Sequence, residues 1–226
     1  MNAAAFFEAV RPMFGGSLTQ SQVDGMNVIF EAWRKVGDGN IRHLAYILGT
    51  AYHESARTMQ PVRETLAKTD AKAKEILTKA WKAGKLPWVK SDYWSSGWFG
   101  RGFVQLTHKA NYVKAGEKLG IDLVSDPSKA MIPEVSALIL IRGMQEGWFT
   151  GKKLSDAGDF LEARRIVNGT DKAGQIATYA NSFLSALEAA EAASPATEAP
   201  RHVKGRKARQ CPARRRLDRA CHHCGW

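Results

Sequence analysis

Ile41-Arg42-His43-Leu44-Ala45-Tyr46-Ile47-Leu48-Gly49-Thr50-Ala51-Tyr52-His53-Glu54-Ser55 carries an apolar stripe of Ile41, Leu44, Leu48 and Ala51 at helical spacing. At about 100° per residue, Glu54 falls beside Ile47 at the edge of that stripe. The segment therefore predicts a helix with a carboxylate at the margin of its buried face. Similar periodicity runs through 21–36, with Val23, Met26, Phe30 and Trp33, and through 71–83, 111–119, 133–146, 159–167 and 172–190. Thr19 or Ser21 and Asp171 are suited to helix N-caps, and Gly84, Gly120 and Gly147 sit where C-caps belong. Strand signal is confined to Phe103–Thr107, where Val104 and Leu106 alternate with Gln105 and Thr107. The fold class read from this pattern is mainly α with a minimal strand element.

The chain has 226 residues, 44% of them hydrophobic and 24% charged, which excludes a disordered or fibrous protein. No apolar run reaches the roughly 18 to 20 residues of a membrane span. The N-terminal stretch Met1 to Phe14 lacks a basic region and has Glu8 within its apolar part, so it does not read as a secretory signal. The net charge of +11 is unevenly placed: residues 201–226 hold nine Lys or Arg and one acid, leaving the other 200 residues with 24 basic and 21 acidic groups. Cys211, Cys221 and Cys224 lie in the same tail. Ser194, Pro195 and Pro200 interrupt an Ala- and Glu-rich segment, which places a boundary between a body at 1–193 and a tail at 194–226. With few large apolar residues, that tail is expected to be disordered.

Glu54 admits two readings, a helix-terminal Glu reaching water or a partly desolvated general acid for hydrolysis near neutral pH. Glu64 follows in Gln60-Pro61-Val62-Arg63-Glu64-Thr65. On one straight helix the two carboxylates would stand about 15 Å apart, beyond the roughly 6.5 to 9.5 Å of an inverting glycosidase pair. Pro61 disfavours helix at Gln60, so the first helix is expected to end near there and let Glu64 return across a cleft from Glu54. The alternative is a solvated Glu64 paired with Arg57 or Arg63. Further along, Trp88, Tyr93, Trp94, Trp98 and Phe99 concentrate flat apolar faces next to Gly97, Gly100 and Gly102. Such faces suit sugar rings, or else pack a core. Gln105 and Thr107, on one polar side of the expected strand, suit orienting a water or an N-acetyl group.

His53-Glu54-Ser55, a second Glu after a short interval, Gly100-Arg101-Gly102-Phe103-Val104-Gln105-Leu106-Thr107 with Asn111-Tyr112, and Ile166-Val167-Asn168-Gly169 together resemble the family 19 glycoside hydrolases. That family comprises chitinases and the lysozyme-like endolysins of bacteriophages, and the resemblance spans about 40–185. It implies a lysozyme-like α+β fold, a helical two-lobed domain with a central substrate cleft. It also implies Glu54 as general acid, Glu64 as general base and Thr107 as a residue holding the attacking water. His53, Arg57, Trp98, Phe99, Gln105, Tyr112 and Asn168 are the implied substrate contacts. The loop that carries the second Glu in the plant enzymes is replaced by Ala67 to Trp88.

The resulting expectation is inverting hydrolysis of β-1,4 bonds in bacterial peptidoglycan by a phage-type endolysin. Such a protein would wait in the host cytoplasm for holin-dependent release to the cell wall. It would act as a monomer with no cofactor, metal, nucleic-acid partner or membrane span. Chitin is the rival substrate, and a non-catalytic wall-binding module is the rival class. Residues 68–90, with Lys68, Lys72, Lys74, Lys79, Lys82 and Lys85, read as a solvated helix or as a small lobe over the cleft meeting acidic peptide stems. The basic tail suits anionic envelope polymers. Its Cys211, Cys221, His222, His223 and Cys224 offer a weak zinc pattern, and its arginines a weak nucleic-acid one.

Overall fold

Seven α-helices among the described residues carry the fold, and most begin or end where side-chain chemistry dictates. The structure is a computed structural model that describes residues 1–194. In chain order the helices are α1 (Ala3–Val10), α2 (Gln20–Val36), α3 (Ile41–Glu54), α4 (Asp70–Lys82), α5 (Lys109–Leu119), α6 (Pro133–Glu146) and α7 (Ala173–Ala192). Thr19 caps α2 in a reciprocal box with Gln22, and Asn40 caps α3 by accepting from the Arg42 amide at 3.0 Å. Pro133 opens α6, where its missing N–H costs nothing. Gly120 and Gly147 end α5 and α6 in the left-handed conformation, as expected.

The helix α3 is the centre of the body. Every residue from Leu44 to Tyr52 is buried, and fully burying a side chain such as Ile47 or Leu48 contributes about 1.5 to 3 kcal/mol. The long helix α7 lies against it. At Gly49 a Cβ atom would stand 2.9 Å from the Ala180 backbone nitrogen, so the two helices approach at a distance only glycine permits there. The helix α1, absent from the sequence expectation, closes this core: Phe6 is fully buried, with its ring 4.9 Å from Phe30 and 6.5 Å from Phe183.

A second, smaller apolar cluster of Ala67, Ala73, Leu77, Trp94 and Phe99 forms around α4. Trp94 donates its indole N–H to Thr78 Oγ1 at 2.8 Å. This cluster is built by α4 and the loop after it and forms the smaller lobe, and with the main core it gives the expected mainly α fold.

The strand element differs from expectation. β1 (Val62–Arg63) pairs antiparallel with β2 (Arg101–Gly102), while Phe103–Thr107 is a tight turn bridged between Arg101 and Leu106. Gln105 is left-handed at φ 53°, and its amide donates back to Val62 O at 2.9 Å and Gly102 O at 3.1 Å, so its side chain closes the turn. Val104 and Leu106 are nonetheless buried, and Gln105 and Thr107, alternating with them, are half-buried. The expected helix at 159–167 is a 3-10 turn, Glu162–Ile166, and Lys172 rather than Asp171 occupies the N-cap of α7. No helix among the described residues is long and apolar enough to cross a membrane. The expectations for the tail, including its disorder, its zinc pattern and its polymer-binding arginines, lie outside the described residues.

Candidate active site

Glu54 ends α3, and the chain turns away at once rather than near Pro61 as expected. Ala56, Arg57 and Met59 all take positive φ, at 50°, 68° and 51°. Ser55 Oγ accepts from the Met59 amide at 3.0 Å, Gln22 donates to Arg57 O at 3.1 Å, and Gln60 donates to Ser21 O at 2.6 Å. These bonds fix the turn against α2. Gly25 makes room for it, since a Cβ there would meet Met59 O at 1.6 Å.

The Glu54 side chain is 17% exposed and faces a cleft of about 630 Å³. Gln105, Thr107, Asn111 and Asn168 share that cleft, with Trp88, Tyr93, His108 and Phe149 providing flat faces. Glu54 Oε1 accepts from Arg164 Nη1 at 2.9 Å, and Arg164, 2% exposed, also donates through Nε to Asp171 O at 2.8 Å. The ion pair fixes the carboxyl direction from beneath the cleft floor. Arg164 had no place in the sequence expectation. Its one local signal is an Arg within Phe160–Val167, where Ala163 and Ile166 are buried.

Glu64 follows β1, and its backbone amide donates to Gly100 O at 2.7 Å. Its carboxylate accepts from Tyr93 Oη at 2.6 Å on Oε1 and from the Gly100 amide at 2.8 Å on Oε2. It does not pair with Arg57, which lies over the Tyr52 ring, or with Arg63, which binds Asp70. Tyr93 itself lines the cleft, whereas Glu64, the carboxylate it holds, is not among the lining residues. Burial and the bond to Glu64 push the Tyr93 phenol far above its usual range, so it remains a proton donor to the carboxylate. Each Glu64 oxygen retains a lone pair beyond its one donor.

Among the expected substrate contacts, the structure places Gln105 and Asn168 on the cleft wall with Glu54 and Thr107, and Thr107 Oγ1 donates to Gln105 O at 2.8 Å. Two expectations are corrected. Phe99 is fully buried in the small-lobe cluster, and the Arg101 guanidinium covers its ring at 3.8 Å. Tyr112 is fully buried too, its hydroxyl accepting from Arg101 at 2.9 Å and donating to Phe99 O at 2.8 Å. Burial pushes its phenol up to about 12. Both belong to the wall's support, and their apolar surface is spent on packing rather than on a ligand. Trp98 is half-buried against Tyr112, with Lys109 over its ring. Arg57 and His53 lie beside the cleft rather than on its lining, and His53 is half-buried near Tyr179. Burial lowers the His53 imidazole below its usual range, with neighbouring Glu54 opposing. Among the described residues no group of His, Cys, Asp and Glu could hold a metal ion.

A two-lobed, mainly α fold with a carboxylate-bearing cleft is the lysozyme-like architecture. No family model and no curated protein sequence matches the chain. In fold it is similar to chitinase C from Streptomyces griseus HUT6037, with a TM-score of 0.52 and 19% identity over 84% of this chain and 76% of that one.

Proposed function

We propose that the protein is an inverting glycoside hydrolase that cleaves β-1,4 bonds between amino sugars, with bacterial peptidoglycan as its substrate. One observation carries this reading: Glu54 faces the cleft together with Thr107, Gln105 and Asn168 while a buried Arg164 fixes it from behind. Glu54 would protonate the leaving oxygen. Glu64, aimed by Tyr93 and Gly100, would take a proton from the water that attacks the opposite face of the ring, with Thr107 holding that water. The exposed Trp88 at the cleft rim offers a sugar-stacking face. A role as a phage endolysin released from the host cytoplasm fits this chemistry and goes with the sequence resemblance.

Chitin is the second reading, favoured by the name of the fold neighbour, a chitinase. Clearance of purified cell walls compared with hydrolysis of chitin oligomers separates the two, and faster turnover of chitin would overturn the preference for peptidoglycan. Glu54→Gln is expected to remove activity on either substrate by about 10² to 10⁴-fold while the protein stays folded. Turnover within about tenfold of wild type would reject Glu54 as the acid. The basic segment 201–226 would add attraction to anionic envelope polymers, read as wall binding that falls with salt and is lost when the segment is removed.

A further inference from the structure

The two residues that hold each other at Glu64 are bracketed by a second pair. Glu64 and Gly100 exchange bonds through backbone and carboxylate, and the residues just before and just after them, Arg63 and Arg101, face each other in the β1–β2 register. Both arginines converge on one carboxylate. Asp70 Oδ1 accepts from Arg63 Nε at 2.5 Å, and Asp70 Oδ2 accepts from Arg101 Nη2 at 2.6 Å. Arg101 is 2% exposed and also donates to Gly97 O at 2.8 Å, so its guanidinium organises the segment that presents the Gly100 amide.

We propose that Asp70 is a positioning residue for Glu64, a clamp across the two short strands that ties the orientation of the base to the small lobe. This role rests on the assignment of Glu64 as base made above. Asp70 is the first residue of α4, so the clamp joins the lobe's only α-helix to the ladder beside the cleft. Between Glu64 and Asp70 the chain turns through Thr65 and Leu66, both left-handed at φ 65° and 56°, a conformation that side chains with a Cβ resist. A two-residue ladder with that bend beside it has little rigidity of its own. The Asp70 bonds supply it. Burial opposes the Asp70 charge, but the hydrogen bonds from Arg101 and Arg63 outweigh it and hold the carboxyl below the usual carboxylate range.

The test uses Asp70→Asn, with Arg63→Gln as the milder variant that keeps the buried Arg101 paired. Hydrogen exchange of the Gly100 amide, the donor to Glu64, reads the clamp directly. It is expected to quicken by about tenfold or more in Asp70→Asn and by less in Arg63→Gln, while the Leu48 amide in α3 exchanges as in wild type. On the proposed substrate, kcat would fall about tenfold with KM little changed, and the acidic limb of the kcat–pH profile, set by the base, would shift. Asp70→Glu would restore part of both. Unchanged Gly100 exchange in Asp70→Asn, or a loss of activity confined to KM, overturns the inference. Because exchange is measured without substrate, an inactive wild type would sink the proposed function and leave the clamp to be decided by exchange alone.

Discussion

Replacing Arg164 with Met isolates what the buried guanidinium does for Glu54. Arg164 is 2% exposed and Glu54 17%, so the pair lies largely out of water, and only the carboxylate has an open side toward the cleft. Removing one partner of a buried ion pair costs about 3 to 5 kcal/mol because a charge is left uncompensated. The open side lets water return to Glu54, which brings the cost below that range, to about 2 to 3 kcal/mol. For a domain of this size that lowers Tm by roughly 4 to 12 °C. Loss of the Nε bond to Asp171 O contributes as well, and a double-mutant cycle removes it. Adding Glu54→Gln to Arg164→Met takes away the stranded charge, so the double variant is expected to recover about half of the lost Tm. Calorimetry on the four proteins provides the numbers. A Tm for Arg164→Met within about 1 °C of wild type, or no recovery in the double variant, would refute the view that Arg164 is there to hold Glu54.

Tyr93→Phe deletes the donor to Glu64 Oε1 and keeps the ring that packs on Trp94 and His108. A hydrogen bond to a charged group is worth about 1.5 to 3 kcal/mol, so Tm should fall by roughly 3 to 12 °C and kcat by roughly 10 to 100-fold; an unaffected kcat would remove Tyr93 from the site. His53 tests the pH response. Its folded pKa lies below the ordinary 6.5, so the unfolded chain binds more protons in that window, and stability is full above about 6.5 and lost as pH falls toward the folded value. Melting temperatures from pH 7.5 down to 5.5 should therefore decline less steeply in His53→Gln than in wild type, and equal slopes would dismiss the contribution.

The helices that bury one continuous face were legible in the chain. The helices α3 and α6 begin at the expected residues, because apolar spacing and tertiary burial agree there with the Asn40 cap of α3 and with Pro133 in the first turn of α6. What escaped depends on partners far along the sequence. The short helix α1 is stabilised by Phe6 meeting Phe30 and Phe183, and nothing in its own eight residues announces that packing. The alternation at Phe103–Thr107 correctly puts Val104 and Leu106 in the core but gives the wrong backbone, since Gln105 bonds to Val62 and Gly102 and converts an extended segment into a turn. At the site, Glu54, Thr107 and Gln105 are singled out by their residue types and Asn168 only by the family resemblance, and the four come together on one cleft. Arg164 lies 110 residues from Glu54, a separation at which no periodicity speaks. Phe99 is an aromatic that serves stacking and packing equally, Tyr112 enters the wall through the resemblance alone, and only the position of Arg101 between them shows that both pack.

The stereochemistry of the first product tests the central claim most directly. Proton NMR recorded in the first minutes of hydrolysis of a β-1,4-linked N-acetylglucosamine oligomer, with Glu54→Gln as the blank, reports which anomer leaves the enzyme. Attack by a water held between Glu54 and Glu64 requires the α-anomer to appear first and then mutarotate. First appearance of the β-anomer would contradict a direct displacement and with it the role given to Glu64.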